Sequence, residues 1–338
     1  MNRAFPVRLI ATIAWGAFLA TSSCPARAAE EPGGCGVKGA AAEARQPSAA
    51  AWIVSTRHAP SGCPAGFDPD RFSYRRRDAI HTGWTAATAE AFFEPALAEV
   101  PLVVFVHGNR ADLCTAVNQG LPIFHRLRRV SADQPFRLVI WAWPADRTAG
   151  GPRRDALVKA ARSDVQSYYL AAWLDRLPAE SPVLLIGYSF GARVIAGALH
   201  LAEGGQLNGW QLQRDGPEAE RRPARVMLIA AALDSEWLLP GSRHGLALHG
   251  IDQLMITGNC LDPVLRLYPR MRRDDRSTAL GFAGPACPRR LSDAGLCFER
   301  VRVECQVGRA HDWRAYLDSP AVDSRLARYA FPVGGAEP

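Results

Sequence analysis

From Pro101 onward the chain alternates between short, unbroken apolar runs and longer stretches whose apolar residues recur at helical spacing. Leu102-Val103-Val104-Phe105-Val106, Arg137 to Trp143, Val183 to Ile186, Arg225 to Ala232 and Gln253 to Thr257 are runs of the first kind. A run of that length without a polar face is the pattern of a strand buried on both sides. Leu113 to Arg129, Asp155 to Leu177 and the segment from Phe190 to Glu203 carry the helical spacing. Strands alternating with helices in this way predict an α/β fold, a mostly parallel sheet covered by helices on both faces. Phe298 to Val307 alternates, with Val301, Val303 and Cys305 on one side, and reads as the last strand. Upstream, Trp52 to Thr56 and Phe72 to Arg75 read as two further strands, joined by a Pro- and Gly-rich loop carrying Cys63. Residues 29–50 are Ala-, Gly- and Glu-rich without periodicity and read as a flexible linker; 204–224 read as a long polar connection. No repeat of fixed period is present, so 51–338 reads as one domain.

The stretch Val183 to Gly197 runs from a buried strand through Gly187-Tyr188-Ser189-Phe190-Gly191 into a helix of small and apolar residues. Gly-x-Ser-x-Gly between strand and helix is the nucleophile-elbow arrangement, a tight turn that lifts one side chain above the end of a sheet. The glycines let strand and helix approach without an intervening Cβ. The first turn of the helix offers N–H groups to a developing negative charge. An ordinary glycine-rich turn with an exposed serine is the plain alternative for the same five residues.

A serine hydroxyl is a poor nucleophile at neutral pH and needs a base within hydrogen-bond reach and an acid to orient the base. In an open α/β sheet such groups come from loops at the carboxyl ends of strands. Asp262 follows the strand at Leu254 to Thr257, and His311 follows the last strand. The order Ser189, Asp262, His311 matches the Ser…Asp…His order of this kind of site. Asp234, at the end of the preceding strand, competes as the acid or caps a helix near Ser235-Glu236. His200, His244 and His249 compete with His311, but none follows a strand after the acid. The backbone N–H groups of Phe190 and Asn109 are the candidate oxyanion donors. His107, inside a strand end, reads as a packed residue that shapes its loop.

Together His107-Gly108-Asn109, Gly187-Tyr188-Ser189-Phe190-Gly191, Asp262 and His311 resemble the α/β-hydrolase superfamily, within it the bacterial serine hydrolases of uncharacterised function. The resemblance spans about residues 51 to 320 and implies an eight-stranded sheet and a Ser–His–acid hydrolase without metal or organic cofactor. Gly108-Asn109-Arg110 stands where lipases often carry an extended glycine run.

Composition changes this picture little. The chain of 338 residues is 48% hydrophobic and 22% charged, as globular proteins are. Its net charge of +7 points toward anionic partners, yet Lys38 and Lys159 are its only lysines and the arginines are scattered. No nucleic-acid motif accompanies the charge, so nucleic acid is excluded as the partner. Arg270, Arg272, Arg273 and Arg276, beside Asp274 and Asp275, read as a self-paired solvated loop or as part of a roof favouring anionic or polar esters.

The N-terminal residues change more. Arg3 and Arg8, the apolar run Leu9 to Ala20 and Ala26-Arg27-Ala28 form a signal-peptide pattern, with export and cleavage near Ala28 expected. An oxidising compartment favours disulfides; Cys287 with Cys297, and Cys35 with Cys63, are the expected pairs. No Cys-x-x-Cys or clustered Cys/His spacing supports a metal, and none is expected. The reading that results is an exported serine hydrolase acting on small-molecule or lipid-like carboxylic esters. It is compatible with peripheral membrane contact and leaves the oligomeric state open. Acyl transfer and thioester or amide hydrolysis are the alternatives on the same residues. A non-catalytic binding protein is the alternative from another class.

Overall fold

The computed structural model describes residues 49–331 apart from 63, 65–67, 79–82, 132, 214–222, 273–277 and 294. The chain divides into two units, Met1–Glu43 and Ala44–Pro338, of which the first lies wholly outside the described residues, as do the signal-peptide pattern and most of the linker.

In chain order the strands are β1 (Ala50–Ser55), β2 (Ser73–Asp78), β3 (Thr85–Ala87), β4 (Leu102–Val106), β5 (Arg137–Ala142), β6 (Val183–Tyr188), β7 (Gln206–Leu207), β8 (Trp210–Gln211), β9 (Ala224–Ile229), β10 (Ile251–Gly258) and β11 (Cys297–Arg302). The helices are α1 (Ala89–Phe92), α2 (Leu113–Val130), α3 (Gly151–Asp175), α4 (Phe190–Ala202), α5 (Pro263–Arg266), α6 (Tyr268–Arg272), α7 (Leu280–Ala283), α8 (Pro288–Asp293), α9 (Glu304–Val307), α10 (Trp313–Leu317) and α11 (Pro320–Ala330).

Nine strands form one sheet in the order β11-β10-β9-β6-β4-β5-β1-β2-β3, while β7 and β8 form a small hairpin of their own. Within the nine, β2 alone runs against the rest. The count exceeds the eight strands expected because of β3. It is three residues long, pairs with β2 at Tyr74↔Ala87, and is too short and exposed to leave a hydrophobic pattern. The last strand is shorter than expected. After Arg302 the chain turns into α9, whose Val307 N–H donates to Val303 O at 2.8 Å, so the two valines lie four residues apart on a helical turn.

β1, β4, β5 and β9 are buried along their whole length and β6 along nearly all of it, which explains their continuous apolar sequences. The step from β4 to β5 through α2 moves one way along the sheet, and the step from β5 to β6 through α3 moves the other way. Right-handed crossovers in opposite directions put α2 on one face and α3 on the other, and α4 joins α3 because β6 to β9 continues in the same direction. α11 packs with α2, and α3 packs along α4. The reversal opens a crevice at the carboxyl ends of β4 and β6, where ligands of such sheets bind.

Backbone contact at that crevice is intimate. A Cβ built on Gly191 would sit 1.9 Å from Val106 O, and one on Gly187 would sit 2.6 Å from Ala192 Cα. Gly120 lets α2 settle on Ile140 of β5 in the same manner, at 2.5 Å. In the Gly191 case the obstacle is backbone of the central strand, which has nowhere to retreat. Gly191→Ala is therefore expected to cost about 3 kcal/mol or more, measured as a lowered urea midpoint; an unchanged midpoint would contradict this packing.

Candidate active site

Ser189 follows the last residue of β6 with φ 54° and ψ −117°, a backbone conformation that side-chain-bearing residues rarely take. Such strain costs about 1–3 kcal/mol and persists only where the surroundings impose it. Here three backbone hydrogen bonds do so: Ser189 N–H donates to Ile229 O at 2.9 Å, and Ser189 O accepts from Ala192 N at 3.1 Å and Ala232 N at 3.2 Å. The result aims the side chain out of the sheet's end while leaving the residue only 4% exposed.

His311 comes from the loop between α9 and α10. Its Nε2 lies 3.1 Å from Ser189 Oγ, and its Nδ1 lies 2.7 Å from Asp262 Oδ2. Asp262 is fully buried and caps α5, its Oδ1 accepting from Val264 N at 2.9 Å and Leu265 N at 3.1 Å. Tyr316 Oη donates to Asp262 Oδ2 at 2.8 Å and accepts from Asn259 Nδ2 at 3.2 Å; Asn259 Nδ2 also donates to Gly308 O at 2.9 Å. Both carboxylate oxygens are thus held by two donors each, and the oxygen facing the imidazole cannot turn away from it. Burial, then the Asp262 charge and hydrogen bond, drive the Tyr316 phenol far above its ordinary range, so it stays a donor. Tyr188 stacks on the His311 ring at 5.5 Å and 29° and donates from its hydroxyl to His311 O at 3.2 Å. The neighbouring Asp312 turns elsewhere, capping α10 through Ala315 N.

The competing residues have other places. Asp234 accepts from Glu236 N at 3.0 Å within a turn, no helix starting at Ser235-Glu236 for it to cap. His200 and His244 lie beside each other, 6.1 Å between rings, with His244 packed against Trp237 at 4.9 Å. His107 is fully buried, stacked on Trp143 at 5.6 Å and 12°, with its Nδ1 2.9 Å from Gly108 O. Cys287 and Cys297 are exposed and unbridged, contrary to expectation. The segment between them contains α8 rather than open loop, and the two thiols are not brought within bridging distance. The expected Cys35–Cys63 pair lies outside the described residues, as do residues 273–276 of the arginine-rich segment.

Facing Ser189 across the crevice is the end of β4, held beside β6 by the pairing Val106↔Gly187. Phe190 N–H is the first of α4 and has no carbonyl within its own helix to bond. Asn109 is pinned at both ends of its side chain: Oδ1 accepts from Arg110 N at 2.8 Å, and Nδ2 donates to Asp155 Oδ2 at 3.0 Å. Asp155, 1% exposed, also accepts from Arg110 Nε, from Thr148 N and Oγ1, and from the fully buried Lys159 Nζ at 3.1 Å. Burial alone would raise its pKa. The Thr148, Arg110 and Lys159 hydrogen bonds outweigh burial and hold it well below the ordinary carboxylate range. Asp155, Lys159 and Tyr316 are structural parts of the site that sequence reading missed. Each sits in a helical pattern with nothing local to mark it.

This arrangement can move a proton from a hydroxyl to an imidazole whose far nitrogen is anchored to a carboxylate, beside N–H groups free of intrahelical partners. Among the described residues no group of three His, Cys, Asp or Glu is placed to hold a metal ion, and no helix is long and apolar enough to cross a membrane. A mostly parallel sheet, a strained serine at a strand-to-helix elbow, and Asp and His on the loops after later strands define the α/β-hydrolase fold.

No model of a known protein family matches the chain, and no curated protein does. Among similar solved structures is an inhibited esterase B from Lactobacillus rhamnosis, 12% identical, covering 83% of this chain and 85% of its own, with a TM-score of 0.37. Others are a lipase-esterase related protein from Clostridium acetobutylicum (11% identical, 68% and 93% covered, TM-score 0.32) and a bacterial heroin esterase (15% identical, 78% and 80% covered, TM-score 0.34). Superpositions this loose say nothing about chemistry, which stands on the site's own geometry.

Two stability measurements follow from these contacts. Asp155→Ala leaves Lys159 buried and unpaired, an expected loss of about 3–5 kcal/mol, and adding Lys159→Met should restore most of it in denaturant unfolding. His107 has a different signature. Burial, opposed in part by the Gly108 carbonyl, lowers its pKa from 6.5 to about 4. Between those values the unfolded chain binds a proton that the folded chain refuses. Its contribution is complete above pH 6.5 and falls by about 3 kcal/mol as pH drops through 4. His107→Phe should flatten that part of the stability–pH curve relative to the parent protein.

Proposed function

We propose that this protein is a serine hydrolase that cleaves carboxylic esters through an acyl-enzyme on Ser189. The observation that carries the proposal is the unbroken relay from Ser189 Oγ to His311 Nε2 at 3.1 Å and from His311 Nδ1 to Asp262 at 2.7 Å, mounted on a strained elbow. In this reading Ser189 Oγ attacks the ester carbonyl carbon as its proton passes to His311 Nε2. The carbonyl oxygen takes up negative charge and is met by the backbone N–H groups of Phe190 and Asn109. Asp262 stabilises the imidazolium without taking its proton. The carbon–oxygen bond to the alcohol breaks as His311 returns the proton to the leaving oxygen. Water then attacks the acyl-enzyme by the same route and releases the acid and free Ser189.

The N-terminal segment adds export, with cleavage near Ala28, to the proposal. Its basis is the charged, apolar and small-residue succession of the first 28 residues.

The test is hydrolysis of p-nitrophenyl esters of graded acyl length by the parent protein and by Ser189→Ala, with fluorophosphonate labelling of both. Turnover and labelling by the parent are expected, with a loss of about 10⁴-fold or more in the variant. Folded parent protein that neither labels nor turns over any ester would favour the binding-protein reading. Activity retained by Ser189→Ala would remove the serine from the mechanism.

A further inference from the structure

Beside the nucleophile lies a cleft of about 190 Å³ between α3, α4 and the start of α6, walled by Ala156, Leu157, Ala160, Phe190 and Tyr268 and closed by Arg193 with Asp164. Phe190 is the residue after Ser189, and Arg193 is one helical turn further on, so the wall of the cleft along the first turn of α4 begins at the neighbour of the nucleophile. Its volume of about 190 Å³ leaves room for a substrate arm between the nucleophile's neighbour and Arg193.

The polar end of this cleft is built for one kind of ligand group. Asp164 Oδ1 accepts from Arg193 Nε at 3.4 Å and Nη2 at 3.0 Å; its Oδ2 accepts from Asn208 Nδ2 at 2.9 Å and Arg243 Nη2 at 2.9 Å. Four donors fill the acceptor capacity of a carboxylate. Arg193 carries five N–H donors and commits two of them to Asp164. It is fixed in place, stacked on the Trp237 ring at 4.8 Å, while Arg243 covers the same ring at 5.0 Å. A saturated acceptor next to a clamped guanidinium with donors to spare calls for a ligand that brings acceptors, best of all an anion. Nearby His244 is held well below its ordinary pKa by burial first and then by the Arg193 and Arg243 charges.

His311 returns its proton to the leaving alcohol, and its loop leads into α10, where Trp313 Nε1 donates to Gln119 O of α2 at 2.8 Å. On that side of the crevice the His311 loop meets α2, and the cleft lies on the opposite side, against α3 and α4; the acyl half is assigned to the cleft as part of the inference.

Resting on the proposed ester hydrolysis, we infer that Arg193 selects substrates whose acyl arm is short and ends in a carboxylate. The preferred class is monoesters of short dicarboxylic acids.

The experiment compares mono-p-nitrophenyl esters of succinic, glutaric and adipic acids with the same esters capped as methyl esters at the far carboxyl. Free acids should be hydrolysed with kcat/KM about tenfold or more above their capped counterparts at the best length, the advantage shrinking with added salt. In Arg193→Met the ratio should fall toward one, and Arg193→Lys should recover part of it. Because Arg193 is buried, the parent protein's ratio decides the matter even if these variants fold poorly. Equal or better hydrolysis of the capped esters, by protein whose Ser189 labels with fluorophosphonate, overturns the inference and leaves the ester-hydrolase reading intact. Failure to label or to hydrolyse either series overturns both. If the anionic preference follows the alcohol half instead, in esters carrying the carboxylate there, the assignment of the cleft to the acyl arm is wrong.

Discussion

The arrangement of this molecule depends on one backbone conformation, the positive φ of Ser189. A left-handed serine between a strand and a helix does not hold itself; it is imposed by neighbours that leave no alternative. Gly191 lies against the carbonyl of Val106, and the Ser189 amide and carbonyl are tied to Ile229 and Ala232 on the far side. The elbow is thereby sewn to β4 on one flank and to the end of β9 on the other. Position of the hydroxyl, first N–H groups of α4 and the opposing Asn109 loop are three consequences of the same close approach.

Electrostatics around that point are organised by sharing. Three buried carboxylates, Asp155, Asp164 and Asp262, each accept from several donors on different elements. A buried carboxylate is expensive unless so satisfied. Once satisfied it acts as a rivet: Asp155 joins the β4 loop to α3, Asp164 joins α3 to α4 and the β7 turn, and Asp262 joins β10's loop to His311 and α10. The crevice is bordered by these three rivets.

Much of this was legible in the chain. Continuous apolar runs announced β4, β5, β6, β9 and β10 to within about three residues, because burial on both faces leaves no polar position to confuse the pattern. Ser189, Asp262 and His311 stood out because the fold confines such groups to strand ends, which reduces a search over the chain to a few loops. What failed was local ambiguity. Val301, Val303 and Val307 keep an apolar rhythm across the join between β11 and α9, so a strand and a turn of helix read as one. β3 is too short to carry a pattern, and Cys287 and Cys297 suggested a bridge that sequence spacing alone cannot orient. Asp155 and Tyr316 matter through partners 46 and 54 residues away, and Lys159 through complete burial, neither of which leaves a mark nearby.

The reversal of direction at β4 has a further consequence. Because α2 and α3 leave the sheet on opposite sides, Asp262 and His311 sit on loops after β10 and β11 while α3, α4 and α6 wall the cleft, and the two sets meet at the start of α4, where Phe190 follows Ser189. In the stretch 156–164, Lys159 and Asp164 are fixed by the buried carboxylate contacts they make, which leaves Ala156, Leu157 and Ala160 as the wall positions open to exchange. A lineage carrying this scaffold can therefore reshape that wall while the elbow and its rivets stay as they are.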